Sequence, residues 1–300
     1  TVSYANSTAC VSVNISSAAL AGIAANSSSG GEGSDTLTNF ENIAGSSYDD
    51  VLIGDGGDNQ IDAGDGNDLI YSGGGTDVVI GGSGTDTLSY ANLATAVVAT
   101  LGSGGISGIE NLVGGSGGDT LTGDSYSNFI EGGAGNDTLI GGAGTDTVSY
   151  ASATSAVTVN LGAASNQATG GAGTDQLSQF ENVIGSGHAD TITGDGAANI
   201  IEGGGGNDVL NGGGGGDTVS YANAASGVSV NIHVSTVLGI NANQAIGGAG
   251  TDTLSNFVHI TGSIYDDTLI GTTSANTLDG GAGNDVLVGG AGGDTLIGGA

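Results

Sequence analysis

Aspartate returns at nine-residue intervals along much of this 300-residue chain, and carboxylates spaced so regularly invite metal chemistry. Sixteen of them, Asp35, Asp50, Asp68, Asp77, Asp86, Asp119, Asp137, Asp146, Asp175, Asp190, Asp208, Asp217, Asp252, Asp267, Asp285 and Asp294, fill the sixth place of a nonapeptide. In four further copies that place is taken by Asn59, Asn128, Asn199 and Asn276. An ionised carboxylate accepts hydrogen bonds and attracts cations, but it donates nothing. The chain supplies no counter-charge of its own: 31 acidic groups stand against no Lys or Arg, a net charge of −31. Repulsion on that scale opposes compaction unless a cation is bound. Calcium, which takes six to eight oxygens from carboxylates and backbone carbonyls alike, suits such a donor set. The asparagines, neutral amides, are expected to be weaker ligands.

The elements that position these groups follow from the rest of the repeat. Five copies run unbroken from Gly45 to Ser89, four from Gly114 to Ser149, four from Gly185 to Ser220 and four from Gly262 to Ile297. Single copies begin at Gly30, Gly170 and Gly247, making twenty in all. Glycine dominates positions one, two and four, where it lets the backbone turn tightly and expose carbonyls. Position eight is aliphatic in every copy, so the last three residues read as a short strand with one inward side chain. Strands of that length persist only when stacked. Two copies, eighteen residues, would close one coil, and nine pairs two repeats apart within the runs hold at least one aspartate. One Ca²⁺ in each would cancel much of the charge.

The GGxGxDxUx pattern resembles the nonapeptide of hemolysin-type calcium-binding (RTX) proteins. That resemblance implies an all-β fold: a right-handed parallel β-roll, or β-solenoid, with two short-strand sheets, Ca²⁺ in the turns and no significant helix. It also implies that the position-six aspartates are ligands. Carbonyls of turn glycines such as Gly64, Gly66, Gly133, Gly135, Gly204, Gly206, Gly281 and Gly283 would complete the sites.

A longer period contains the short one. The string SYANSTACVSVNI from Ser3 returns in variant form at Ser89, Ser149 and Ser220, and each copy leads to FENI at Phe40, IENL at Ile109, FENV at Phe180 or FVHI at Phe257. One continuous solenoid of four modules is expected, over 1–88, 89–148, 149–219 and 220–300, with repeat blocks at 45–89, 114–149, 185–220 and 262–297. Tyr4, Tyr90, Tyr150 and Tyr221, with Phe40, Phe180 and Phe257, read as core plugs where inserts leave the roll. Both ends fall within a repeat, which suggests self-association or continuation into further repeats.

Other chemistry is poorly supported. Gly114–Gly118 matches GxSxG, but it lies in a turn with no helix to follow. His188, His233 and His259 have no zinc or catalytic spacing, and Cys10, the only cysteine, reads as a small buried residue. Glu41, Glu110 and Glu181 recur in an xEN motif, for a structural hydrogen bond or a further calcium contact; Val258 and His259 replace that pair in the fourth module. Asp55, Asp124 and Asp195 could add a carboxylate beside the asparagines or sit as solvated turn residues. Without basic residues the chain cannot neutralise nucleic acid or an anionic membrane surface. No enzyme is expected. The function expected is a calcium-binding structural or adhesive segment, extracellular or on a bacterial cell surface, of the adhesin, surface-layer (S-layer) or matrix-filament type. The alternative is a calcium-triggered folding module of a secreted enzyme or toxin, exported by type I secretion, whose active domain lies elsewhere.

Overall fold

The structure is a computed structural model that describes residues 1–164 and 167–300; among them there is no helix. It divides into two compact units, Thr1–Asp146 and Thr147–Ala300. Each is a parallel β-roll built from two- to six-residue strands.

In the first unit, Val51–Ile53, Leu69–Tyr71 and Thr87–Ser89 stack in parallel along one face. Asn42–Ala44, Gln60–Asp65 and Val78–Ser83 stack along another. Partners such as Val51 and Leu69, or Gln60 and Val78, are eighteen residues apart, so each nonapeptide is half a coil. In the second unit, Asn182–Ile184, Ile200–Glu202 and Thr218–Ser220 form one such row, continued by His259–Thr261 and Thr277–Asp279. Thr191–Thr193, Val209–Asn211 and Gly250–Ser255 form the other.

The core is the position-eight column. Leu52, Ile61, Ile70, Val79 and Leu88 in one unit, and Ile192, Ile201, Leu210 and Val219 in the other, are wholly buried. Stacking places each against its equivalent one coil away, which a three-residue strand needs in order to persist. Tyr4, Tyr150, Tyr221, Phe180 and Phe257 are buried, whereas Tyr90 and Phe40 are half-buried.

The inserts depart from a purely parallel roll. Gln244–Gly247 runs antiparallel between Val228–Asn231 and Gly250–Ser255, and these two flanking strands rejoin the parallel rows. Ser27–Gly30 and Ala168–Gly170 are likewise antiparallel to their neighbours. The glycine motifs of the single copies at Gly30, Gly170 and Gly247 therefore form hairpin turns, with Gly30 opposite Gly33, Gly170 opposite Gly173 and Gly247 opposite Gly250. A motif that turns a coil when stacked on another coil closes a hairpin when its preceding residues have a strand to pair with. Cys10 is exposed, not buried as its residue type suggested.

Candidate metal centre

The turns carrying the position-six residues are of distinct kinds, told apart by backbone conformation and hydrogen bonding. In the third and later copies of each block, glycines at positions two and four both have positive φ, as at Gly64 and Gly66 (111° and 124°) or Gly204 and Gly206 (83° and 135°). Only glycine fits there. A Cβ on Gly204 would stand 2.1 Å from the Ser186 carbonyl oxygen, and one on Gly82 would stand 1.7 Å from that of Gly64. The carbonyls of Gly64, Gly66, Gly206 and Gly281 thus lie against the turn of the next coil. The other predicted carbonyl donors, Gly133, Gly135, Gly204 and Gly283, occupy the same places in their turns.

In these turns one carboxylate oxygen is engaged along the stack. Asp68 Oδ1 accepts the Asp50 N–H at 2.7 Å, Asp86 Oδ1 that of Asp68, Asp77 Oδ1 that of Asn59, and Asp208 Oδ1 that of Asp190. Asp137, Asp146, Asp217, Asp285 and Asp294 accept the equivalent N–H of the preceding coil. The second oxygen is different. Oδ2 of Asp68, Asp86, Asp208, Asp217 and Asp285 is buried and meets no donor. Four of these residues are no more than 2 % exposed: Asp68, Asp86, Asp208 and Asp217. Burial raises the carboxyl pKa of Asp68 to about 7, and that of Asp208 likewise to about 7. It also moves Asp77, Asp86 and Asp217 upward. A buried charge without a partner is unfavourable, so these oxygens either hold a proton or face a cation.

The first copy of each block differs. Asp50 Oδ2 accepts the Ser46 N–H at 2.6 Å, and its Oδ1 accepts Val11 N–H from the insert strand at 2.7 Å. Asp119 does the same with Gly115 and Val97, Asp190 with Ser186 and Val157, and Asp267 with Ser263 and Val228. These carboxylates close their own turn and dock the insert. Gly115 is instructive: its turn reads GGSGGD, yet neither Gly115 nor Gly117 has positive φ.

The second copies explain their asparagines. Asn59 Oδ1 accepts the Asp55 N–H at 2.8 Å while Nδ2 donates to the Glu41 carbonyl at 2.9 Å. Asn128 joins Asp124 to Glu110, Asn199 joins Asp195 to Glu181, and Asn276 joins Thr272 to the Val258 carbonyl. A donor is required on one side and an acceptor on the other, which an ionised Asp cannot offer. Because the backbone carbonyl is the acceptor here, Val258 serves Asn276 as well as a glutamate would. His259 Nδ1 accepts the Thr277 N–H as Asn42 Oδ1 accepts that of Gln60. Asp55, Asp124 and Asp195 accept position-four N–H groups inside their turns.

The single copies are closed by tyrosine. The hydroxyls of Tyr4, Tyr150 and Tyr221 donate to Oδ2 of Asp35, Asp175 and Asp252, the last two at 3.0 and 2.9 Å. Sequence reading placed these tyrosines in the core but missed their partners; the signal was their recurrence ahead of each single copy. It also left Glu110 undecided, and its Oε2 takes the Asp86 N–H at 2.8 Å, where the next coil's aspartate would otherwise be.

Among the described residues no three His, Cys, Asp or Glu side chains cluster as a metal cage. Each open turn brings one carboxylate, so a cation held there draws its remaining oxygens from backbone carbonyls, as calcium readily does. The buried Oδ2 atoms fit such an ion. His188 and Ser116 are exposed turn residues, with no catalytic partner among their hydrogen bonds.

A family model described as the RTX calcium-binding nonapeptide repeat (4 copies) matches residues 40–70, 53–88, 107–148, 184–219 and 261–296, more than half of the chain. Comparison with curated proteins found no match.

Proposed function

The chain belongs to the RTX calcium-binding nonapeptide-repeat family, and we propose that it works outside the cell as a calcium-loaded structural or adhesive segment rather than as an enzyme. One observation carries the reading: buried Oδ2 atoms of Asp68, Asp86, Asp208 and Asp217 that meet no donor. A divalent cation there would remove the cost of burying the charge and neutralise part of the −31 total. Since the ion binds the folded turns and not the open chain, its concentration sets stability. Calcium-rich surroundings outside a cell favour the folded roll.

The placement of other polar groups supports a non-catalytic role. Histidines and the GxSxG serine bond to nearby backbone or side chains, and the inserts are tied down by the first aspartate of each block. What is left at the surface is a repetitive frame suited to spanning and presenting, of the adhesin, surface-layer or filament kind. The test is a far-UV circular dichroism titration with chelator, followed by calcium or magnesium. The β signal is expected to fall in excess chelator and to return with calcium far more readily than with magnesium. A spectrum indifferent to chelator would sink the proposal.

A further inference from the structure

We propose that calcium enters only the nine turns at the third and later places of the blocks, and that the other seven position-six aspartates are sealed by the chain's own donors. This rests on the calcium-binding reading and refines it, because the repeat motif by itself assigns all sixteen aspartates alike.

Backbone conformation separates the two groups. All nine turns have positive φ at positions two and four; no first or second turn of a block does. The consequence lies in the position-two N–H. In the first turn of a block, where φ there is not positive, it points to the turn's own carboxylate, as Ser46 does to Asp50 and Ser186 to Asp190. With φ positive it turns away: the Gly213 N–H goes to Asn211 Oδ1 and that of Gly281 to Asp279 Oδ1. In the turns of Asp68, Asp86, Asp208 and Asp217 the carboxylate thereby loses its internal donor, and Oδ2 is left facing none. A sealed carboxylate already accepts from the chain's own N–H or O–H groups, and donor dipoles aimed at it oppose the approach of a cation. Asp190 accepts from Ser186 N–H and Oγ–H and from Val157 N–H. Asp252 accepts from Asp208 N–H and the Tyr221 hydroxyl.

The position in the block decides the class, not the local motif. Asp119 follows GGSG yet is sealed, since Gly115 and Gly117 pack against Leu93 and Ala96 of the insert and lack positive φ. Each block thus begins with two turns closed without metal, on which the metal-closed turns stack.

Native mass spectrometry of the full chain at saturating calcium counts bound ions directly. Nine per chain are expected for the parent. Asp208→Asn should carry one ion fewer, while Asp190→Asn and, as a second sealed site should that variant fold poorly, Asp252→Asn should carry the parent number; circular dichroism reports the fold of each. A parent count near sixteen, or the loss of one ion from a folded Asp190→Asn or Asp252→Asn, overturns the partition while leaving calcium binding intact. A parent that binds no calcium overturns both.

Discussion

Replacing Asn59 by aspartate pits two accounts of the second turns against each other. If the asparagine is a weakened metal ligand, restoring the carboxylate should add a calcium ion and stability. The hydrogen bonds argue otherwise. Asn59 is 3 % exposed, and its Nδ2 donates to the Glu41 carbonyl at 2.9 Å and to Asp55 Oδ1 at 3.2 Å. A carboxylate oxygen in that place faces two acceptors. Losing the donation costs about 1 kcal/mol net, and confining an unpaired charge against acceptors adds about 1–3 kcal/mol, so Asn59→Asp should destabilise the roll by about 2–4 kcal/mol at neutral pH. Urea unfolding at saturating calcium, followed by circular dichroism, would show a lowered midpoint. Acidification should recover part of the loss, because the introduced carboxyl, once protonated, can donate again. Native mass spectrometry should find no extra ion. An Asn59→Asp protein as stable as its parent at pH 7, and holding one more calcium, would refute the reasoning.

Proton competition should be visible at the open turns. Burial raises Asp68 and Asp208 to about 7 without metal, above the ordinary carboxylate value of 3.8, so the metal-free roll binds protons more tightly than the unfolded chain. Its stability is therefore greatest at low pH and falls as pH rises from about 4 through 7, while calcium must displace those protons. Calorimetry in buffers of different ionisation enthalpy should detect proton release on calcium binding near pH 6–7, and affinity should be lower at pH 6 than at pH 8; equal affinities and no release would count against it. Gly204→Ala should cost at least about 2 kcal/mol, from a positive φ of 83° and a Cβ 2.1 Å from Ser186 O, as read by thermal unfolding. Gly196→Ala, with nothing within 4 Å, is the near-neutral comparison.

The coil was legible because its determinants are local and repeated. Aliphatics at position eight and glycine-rich turns every nine residues give Val51 its register with Leu69, eighteen residues on, and no long-range information is needed. The inserts were less legible. Ser27–Gly30 and Gln244–Gly247 hold no strong strand signal, and they become strands because a neighbour on each side offers unpaired backbone groups. The site shows the same division. An aspartate at position six marks a carboxylate in a turn, but whether its second oxygen meets a donor depends on φ at the turn's second place, and on what is stacked beside it. Asp119 and Asp137 both follow a GGxG stretch; the first accepts from Gly115 and Val97, whereas Gly133 and Gly135 beside the second have turned to positive φ. Asn59 reads as a deficient ligand until its amide is seen bridging Asp55 and Glu41. Charge balance then joins the two levels. A chain without basic residues can stack acidic turns only if each buried carboxylate finds a donor, a proton or a cation, and the blocks divide accordingly: N–H groups and tyrosine hydroxyls where the inserts leave and rejoin, and buried oxygens without a donor, fit for metal, where coil follows coil.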